Sequence, residues 1–251
     1  MRGGRRWLIV LIPLVLLAAV IVGGLLWVSN PAAPMPEALA ALETDAAVTV
    51  SRENGWIVLQ PVGVSAQTGL IFYPGGLVAP EAYAPPLREV AAAGYKVVIV
   101  PMPLNLAVLN ASAAAGVIAA YPEIARWAVA GHSLGGAMAA RFAHDNPDKV
   151  QGVALWAAYP EGSADLSGRA LAVTSIYGTL DGLATVEQVE GARPLLPPDT
   201  VWVKIEGGNH AQFGSYGDQA RDNAAAISRE AQQAQVAAAT LDLLARVEAA
   251  G

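Results

Sequence analysis

Hydrophobic and polar positions divide the chain into three regimes. Residues 7–28 are apolar throughout, with no charged or strongly polar side chain. As a helix such a run spans about 33 Å, the depth of a bilayer's hydrocarbon core. Residues 48–50 and 56–59 are short β-type runs on either side of Glu53-Asn54-Gly55. The Asn-Gly pair between them predicts a hairpin turn. From Leu70 onward, short apolar runs alternate with helical spacing. Strands are expected at 70–73, 96–100, 126–130, 150–156, 170–176 and 200–205. Helices are expected at 81–93, 111–120, 136–145, 184–191 and 228–248, the last capped by Ser228. The run 96–100 is almost wholly apolar, as a strand buried on both faces requires. An entry hairpin followed by this alternation predicts an α/β fold with a mostly parallel sheet covered on both sides.

In such sheets ligands bind beyond the carboxyl ends of the strands. Reactive residue types gather at those places here. Gly131-His132-Ser133-Leu134-Gly135 lies between an expected strand and an expected helix. That context makes it a nucleophile elbow, a sharp turn that exposes a serine. A serine hydroxyl is a weak nucleophile and needs an adjacent base. Flanking glycines are required because strand and helix backbones approach too closely for a Cβ. In so glycine-rich a chain the pentapeptide alone arises by chance about once in ten chains. The flanking strand and helix therefore carry the reading.

Three histidines are available as base. His132 sits inside the turn and cannot fold back on its neighbour, so a structural role is expected for it. His144 falls near the end of the elbow helix and is expected at the surface. His210 follows the last expected strand in a glycine-rich loop. Asp181 follows the preceding strand by a short turn. It is preferred as the acid over Asp165, in an earlier loop, and over Asp218 and Asp222, which come after His210. Ser133, Asp181 and His210 then occupy the roles of nucleophile, orienting acid and base. The developing oxyanion needs backbone donors. The Leu134 N–H, directly after the serine, is one candidate. Gly76, in Tyr73-Pro74-Gly75-Gly76 after the first strand of the alternating region, is the other, with Leu77 as its alternative.

Tyr73-Pro74-Gly75-Gly76, Gly131-His132-Ser133-Leu134-Gly135-Gly136, Tyr177-Gly178-Thr179-Leu180-Asp181 and Gly208-Asn209-His210 together resemble the α/β-hydrolase superfamily. They look closest to its small, cap-less, dienelactone-hydrolase-like group. The resemblance covers residues 48–251 and implies a sheet of about eight strands with serine esterase chemistry. Pro74 stands where many relatives have histidine. The absence of cysteine departs from dienelactone hydrolases proper, so their substrate is not implied.

Charge and composition add an address. Arg2, Arg5 and Arg6 precede the apolar run, and Trp7 and Trp27 mark its ends. The positive-inside rule then places the N-terminus in the cytoplasm and the body outside. A cleaved signal peptide is the competing reading, but its apolar core is shorter and is followed closely by a small-residue cleavage site. The expected organisation is a basic stub and transmembrane signal anchor (1–30), a Pro/Ala-rich linker (31–46) and a hydrolase domain (47–251). Without its three arginines' share of the net −6, the remainder carries −9, which argues against nucleic-acid partners. With no cysteine and no paired histidines, neither metal nor cofactor is expected. The loops 101–110 (Met102, Leu104, Leu106, Val108, Leu109) and 211–227 (Phe213, Tyr216) are expected to wall an open site for a small-molecule ester or acyl substrate, with simple packing an equal alternative for their apolar residues. Acyl transfer or perhydrolysis on the same residues, and a catalytically idle binding module, are the alternative functions.

Overall fold

The computed structural model describes residues 14–17, 22–24 and 29–250. Eight strands form one sheet: β1 (Val48–Glu53), β2 (Trp56–Pro61), β3 (Thr68–Tyr73), β4 (Lys96–Ile99), β5 (Arg126–His132), β6 (Gly152–Trp156), β7 (Ala172–Gly178) and β8 (Val201–Ile205). Their spatial order is β1-β2-β4-β3-β5-β6-β7-β8. The β1–β2 and β2–β4 pairs are antiparallel, and every other pair is parallel. Parallel neighbours require crossover connections, and these bring helices onto both faces. The helices are α1 (Pro36–Ala40), α2 (Ala84–Ala92), α3 (Ala114–Ala120), α4 (Leu134–Asp145), α5 (Val186–Gly191) and α6 (Arg229–Ala249).

The continuous apolar strand runs follow from this layering. Successive side chains point to opposite faces, and here both faces are covered. Leu70, Phe72, Val97 and Ile99 join one core with Leu87 of α2 and with Leu243 and Leu244 of α6. Ile71, Val98 and Val129 join a second core with Val117 of α3 and with Met138 and Phe142 of α4. The parallel strands point their carboxyl ends to one edge, and the elbow and the loops after β3, β7 and β8 meet there.

Several elements differ from expectation in informative ways. The helix expected at 81–93 divides into a 3-10 turn, Pro80–Tyr83, and α2. Pro85 and Pro86 occupy the first turn of α2, where a missing N–H costs little. Helix α5 starts two residues later than expected because Thr185 and Gln188 form a reciprocal capping box. Ser228 does cap α6, accepting the Ala231 N–H at 3.2 Å.

The stretch expected as a linker is packed onto the body. The Ala32 N–H donates to the Leu77 carbonyl at 2.7 Å, and the Ala79 N–H donates to the Ala32 carbonyl at 3.0 Å. The Met35 N–H reaches the Ser215 carbonyl at 2.8 Å. Ala38 in α1 is fully buried. Asp45 pairs with Arg88 at 2.6 Å. The expected transmembrane segment, 7–28, lies for the most part outside the described residues. Among those described, no helix is long and apolar enough to cross a membrane.

Candidate active site

Ser133 adopts φ 51° and ψ −122° between β5 and α4. A non-glycine residue in such a conformation costs on the order of 1–3 kcal/mol and persists only where its surroundings over-determine it. Those surroundings are visible. The Ser133 N–H donates to the Trp156 carbonyl at 3.0 Å. A Cβ on Gly131 would run into the Gly135 backbone, and one on Gly135 would run into the Tyr73 and Pro74 carbonyls. The flanking glycines are thus demanded by close backbone approach on both sides of the serine. Helix α4 starts at Leu134, so its positive end lies at Ser133.

His210 and Asp181 are joined. The His210 Nδ1 lies 2.8 Å from Asp181 Oδ2, and both residues are buried. An ionised carboxylate only accepts, so Nδ1 carries the proton and Nε2 is left with a lone pair. That Nε2 is buried without a protein partner. Asp181 Oδ1 accepts the N–H groups of Leu183 and Ala184 at 2.8 and 2.7 Å. Ser133 and His210 line one cleft of about 340 Å³. Its other walls are Leu134, Ala137, Ala157, Ala158, Tyr159, Leu183 and Ala184, with Glu161 as the one charged side chain.

The walls therefore differ from those expected. Phe213 and Tyr216 turn inward and are buried behind the site. Phe213 stacks on His132 with ring centroids 5.5 Å apart. The loop 101–110 splits its apolar residues. Met102 and Ala107 are buried, while Leu104, Val108 and Leu109 are exposed. Residues 157–171, between β6 and β7, contain no helix, so nothing caps the cleft from that connection.

The oxyanion-loop candidates are separated by their hydrogen bonds. The Leu77 N–H is spent on the Asn105 carbonyl at 2.8 Å. The Gly75 N–H is spent on the Tyr83 hydroxyl at 3.0 Å. Among the described residues neither the Gly76 nor the Leu134 N–H has a hydrogen-bond partner. A Cβ on Gly76 would sit 3.2 Å from Leu134 Cδ2, so the two candidate donor residues are in contact.

The remaining sequence candidates stand apart from this group. His144 is half-buried, not freely exposed, and contacts Asp145 at 2.9 Å at the far end of α4. Asp165 accepts the Ser167 N–H in an exposed loop, and Asp218 is exposed. Among the described residues no group of three or more His, Asp or Glu side chains is arranged to hold a metal ion.

Residues around the candidate triad, with roles that the sequence did not reveal, fix the site. The Tyr83 hydroxyl accepts the Gly75 N–H and lies 2.9 Å from His132 Nδ1. Donation of the hydroxyl proton to Nδ1 would put the His132 proton on Nε2. The two imidazoles, His132 and His210, have centroids 4.4 Å apart. Burial, and after it the nearby His210, holds the His132 pKa well below its ordinary value. Asp222 accepts the Gly182 N–H at 3.0 Å and the Ala211 N–H at 2.8 Å. Gln232 accepts the Asn209 N–H at 3.0 Å and donates to the Asn209 carbonyl at 2.7 Å. Asn209 Oδ1 accepts the Gln212 N–H, and its Nδ2 donates to the Asn223 carbonyl at 2.7 Å. One signal for Gln232 is present in the sequence. It begins the stripe Gln232, Val236, Thr240, Leu243, Val247 on α6, where a polar side chain is buried only if paired.

A doubly covered parallel sheet with a serine on its elbow, and a His–Asp pair on the loops after β7 and β8, defines the α/β-hydrolase class of fold. The sequence profile of the alpha/beta hydrolase family matches residues 69–234, well over half of the chain. The chain belongs to that family. Among solved structures it resembles a predicted CIB-like hydrolase from Thermoplasma acidophilum, at 16% identity and TM-score 0.60, covering 80% of this chain and 100% of that one. It also resembles MGS-MChE2, an alpha/beta hydrolase enzyme from the metagenome of sediments of the lagoon of Mar Chica, Morocco, at 17% identity and TM-score 0.54, covering 65% and 90%. Among curated proteins no match was found.

Proposed function

We propose that the protein is a membrane-anchored serine hydrolase that cleaves carboxylic esters, or related acyl bonds, on the extracytoplasmic side. The observation that carries this reading is the state of His210. Its Nδ1 is held by Asp181, its Nε2 has no partner among the described residues, and the residue lines the same cleft as Ser133. That is the condition of a base waiting for a hydroxyl proton.

In this mechanism Ser133 Oγ attacks the ester carbonyl carbon and His210 Nε2 takes its proton. The carbonyl oxygen becomes an anion received by the Leu134 and Gly76 N–H groups and by the positive end of α4. Collapse of the intermediate breaks the bond to the alcohol, which leaves with the proton from His210. Water then attacks the acyl-enzyme by the same route, releases the acid and restores Ser133. Asp181 keeps His210 in the required tautomer and stabilises its charged form. The uncapped cleft admits water, which favours hydrolysis over transfer to another acceptor. Its apolar walls suit an uncharged acyl or alcohol group. The short β6–β7 connection, which carries no helix, also supports placing the chain with the small dienelactone-hydrolase-like members of the family, with serine in place of cysteine.

A fluorophosphonate probe tests the chemistry directly. The parent protein should be labelled at Ser133, and Ser133→Ala should not. Equal labelling of Ser133→Ala would remove the assignment.

A further inference from the structure

We propose that the active-site edge of the sheet docks on the lipid bilayer, and that the physiological substrates are esters carried within that bilayer. The proposal rests on the anchored serine hydrolase just described, and adds which face meets the membrane and where the substrate resides.

The first observation is where the chain enters the body. The apolar run ends at Val28, and Ala32 is already hydrogen-bonded to the fold. Four residues reach at most about 14 Å when fully extended. Ala32 does not join the body at a remote place. It pairs with Val78 and donates its N–H to the carbonyl of Leu77, one residue past Gly76 in the oxyanion loop. The end of a bilayer-spanning segment is thereby tied to the lip of the cleft.

The second observation is the rim on the other side of that loop. The Leu77 N–H is bonded to the Asn105 carbonyl at 2.8 Å, so residues 32, 77 and 105 are linked in sequence across the edge. Leu104 and Asn105 both have left-handed backbone, with φ 51° and 57°. For leucine that conformation is disfavoured, yet the chain adopts it and turns the side chain outward. Leu104 is 42% exposed, Val108 56% and Leu109 53%. An aliphatic cluster of this kind beside an active site marks an interaction surface.

The third observation is charge. Residues 101–122 contain no charged side chain, although the body as a whole is acidic. The rim therefore offers no acidic side chain for an anionic membrane surface to repel. Three aliphatic side chains bind a bilayer weakly by themselves. Tethered within a few residues of a spanning helix, they work at high effective concentration and need only set the orientation.

The opposite edge of the sheet supplies the control. Val62 and Val64, before β3, are 46% and 52% exposed. The natural chain has no cysteine, so a single one reports a single site. Full-length Val108→Cys and Val64→Cys proteins, labelled with the fluorophore NBD, are reconstituted into phosphatidylcholine–phosphatidylglycerol vesicles containing doxyl-labelled lipid. Quenching is expected to be several-fold stronger at position 108 than at 64. Equal quenching, stronger quenching at 64, or none at either position would overturn the docking face. In the second arm, Leu104→Ser/Leu109→Ser is expected to lower turnover of a long-chain ester embedded in the vesicles about tenfold. Turnover of a short water-soluble ester should change by less than about twofold. Equal loss on both esters would overturn the bilayer-substrate claim. If the parent protein turned over neither ester and took no fluorophosphonate, the hydrolase reading would fail. The quenching arm needs no catalysis and would still decide the docking face.

Discussion

Tyr83→Phe deletes one oxygen atom and leaves two buried groups without a partner. The Tyr83 ring is fully buried, 4.9 Å from the Phe72 centroid and 5.6 Å from that of His132. Phenylalanine keeps those ring contacts, so cavity formation contributes little. What is lost is the pair of hydrogen bonds to the Gly75 N–H, at 3.0 Å, and to His132 Nδ1, at 2.9 Å. Each buried group left unpaired costs about 1–3 kcal/mol, partly offset because the hydroxyl itself no longer has to be desolvated. The expected net loss is about 2–3 kcal/mol, or a fall in melting temperature of roughly 4–10 °C for a domain of this size. Activity should fall as well, because Gly75 fixes the loop that presents the Gly76 N–H. Losing an oxyanion donor outright costs about 100- to 1000-fold in kcat, and a loosened one about 10- to 100-fold with a smaller change in KM. Urea denaturation and ester kinetics on the parent, Tyr83→Phe and Tyr216→Phe measure both effects. Tyr216 is the comparison because, among the described residues, its hydroxyl bonds only Gln219, at 2.9 Å in a part-buried setting. A stability loss for Tyr83→Phe below about 0.5 kcal/mol, no larger than for Tyr216→Phe, would refute the claim that this hydroxyl satisfies both groups.

Two further predictions concern the imidazoles. Asp181→Asn keeps the shape beside His210 but presents an amide that can stabilise the wrong tautomer. It should lower kcat by about four orders of magnitude with little change in fold; a drop of less than about tenfold would point to Asp222 or another acid instead. His132 binds a proton in the unfolded chain near its ordinary 6.5, but resists doing so in the fold because it is buried. Its contribution to stability is therefore complete above about pH 6.5 and is lost as the pH falls below that value. Urea titrations above and below that pH should show a smaller acid-side loss for His132→Gln than for the parent, and identical slopes would contradict the assignment.

Much of the sheet was legible because its strands are buried on both faces. The runs 70–73 and 97–100 are apolar at every position, and such runs stand out between helical spacings. The elbow was legible because backbone crowding around Ser133 leaves room only for glycine at 131 and 135. His210 was legible largely by elimination, in a chain with three histidines. Other features escaped for a common reason, which is that they depend on partners distant in sequence. Residues 31–46 have a spacer's composition, yet the backbone of Ala32 completes a bridge to Val78 that no local pattern announces. Tyr83 reads as an ordinary core aromatic until the loop at Gly75 is folded against it. Phe213 and Tyr216 follow His210 closely, which suggested cleft walls. Their size drives them into the core behind the histidine instead, and small residues at 157, 158 and 184 form the cleft.

The same dependence on distant partners explains how the loop residues of the proposed triad are held in place. Asp181 and His210 both lie outside regular strands, where backbone is ordinarily mobile. Besides the hydrogen bonds of the Asp181 carboxylate, both are fixed through their neighbours. Asp222 binds the N–H of the residue after each of them, Gly182 and Ala211, and so clamps the two loops to one carboxylate. Gln232, anchored on α6, grips both the N–H and the carbonyl of Asn209, the residue before His210. The histidine is thus restrained from both sides through its neighbours' backbone, and the His210–Asp181 contact joins two loops that are already positioned. A change at Asp222 or Gln232 should therefore act on stability and on the accuracy of the site together, although neither side chain lines the cleft.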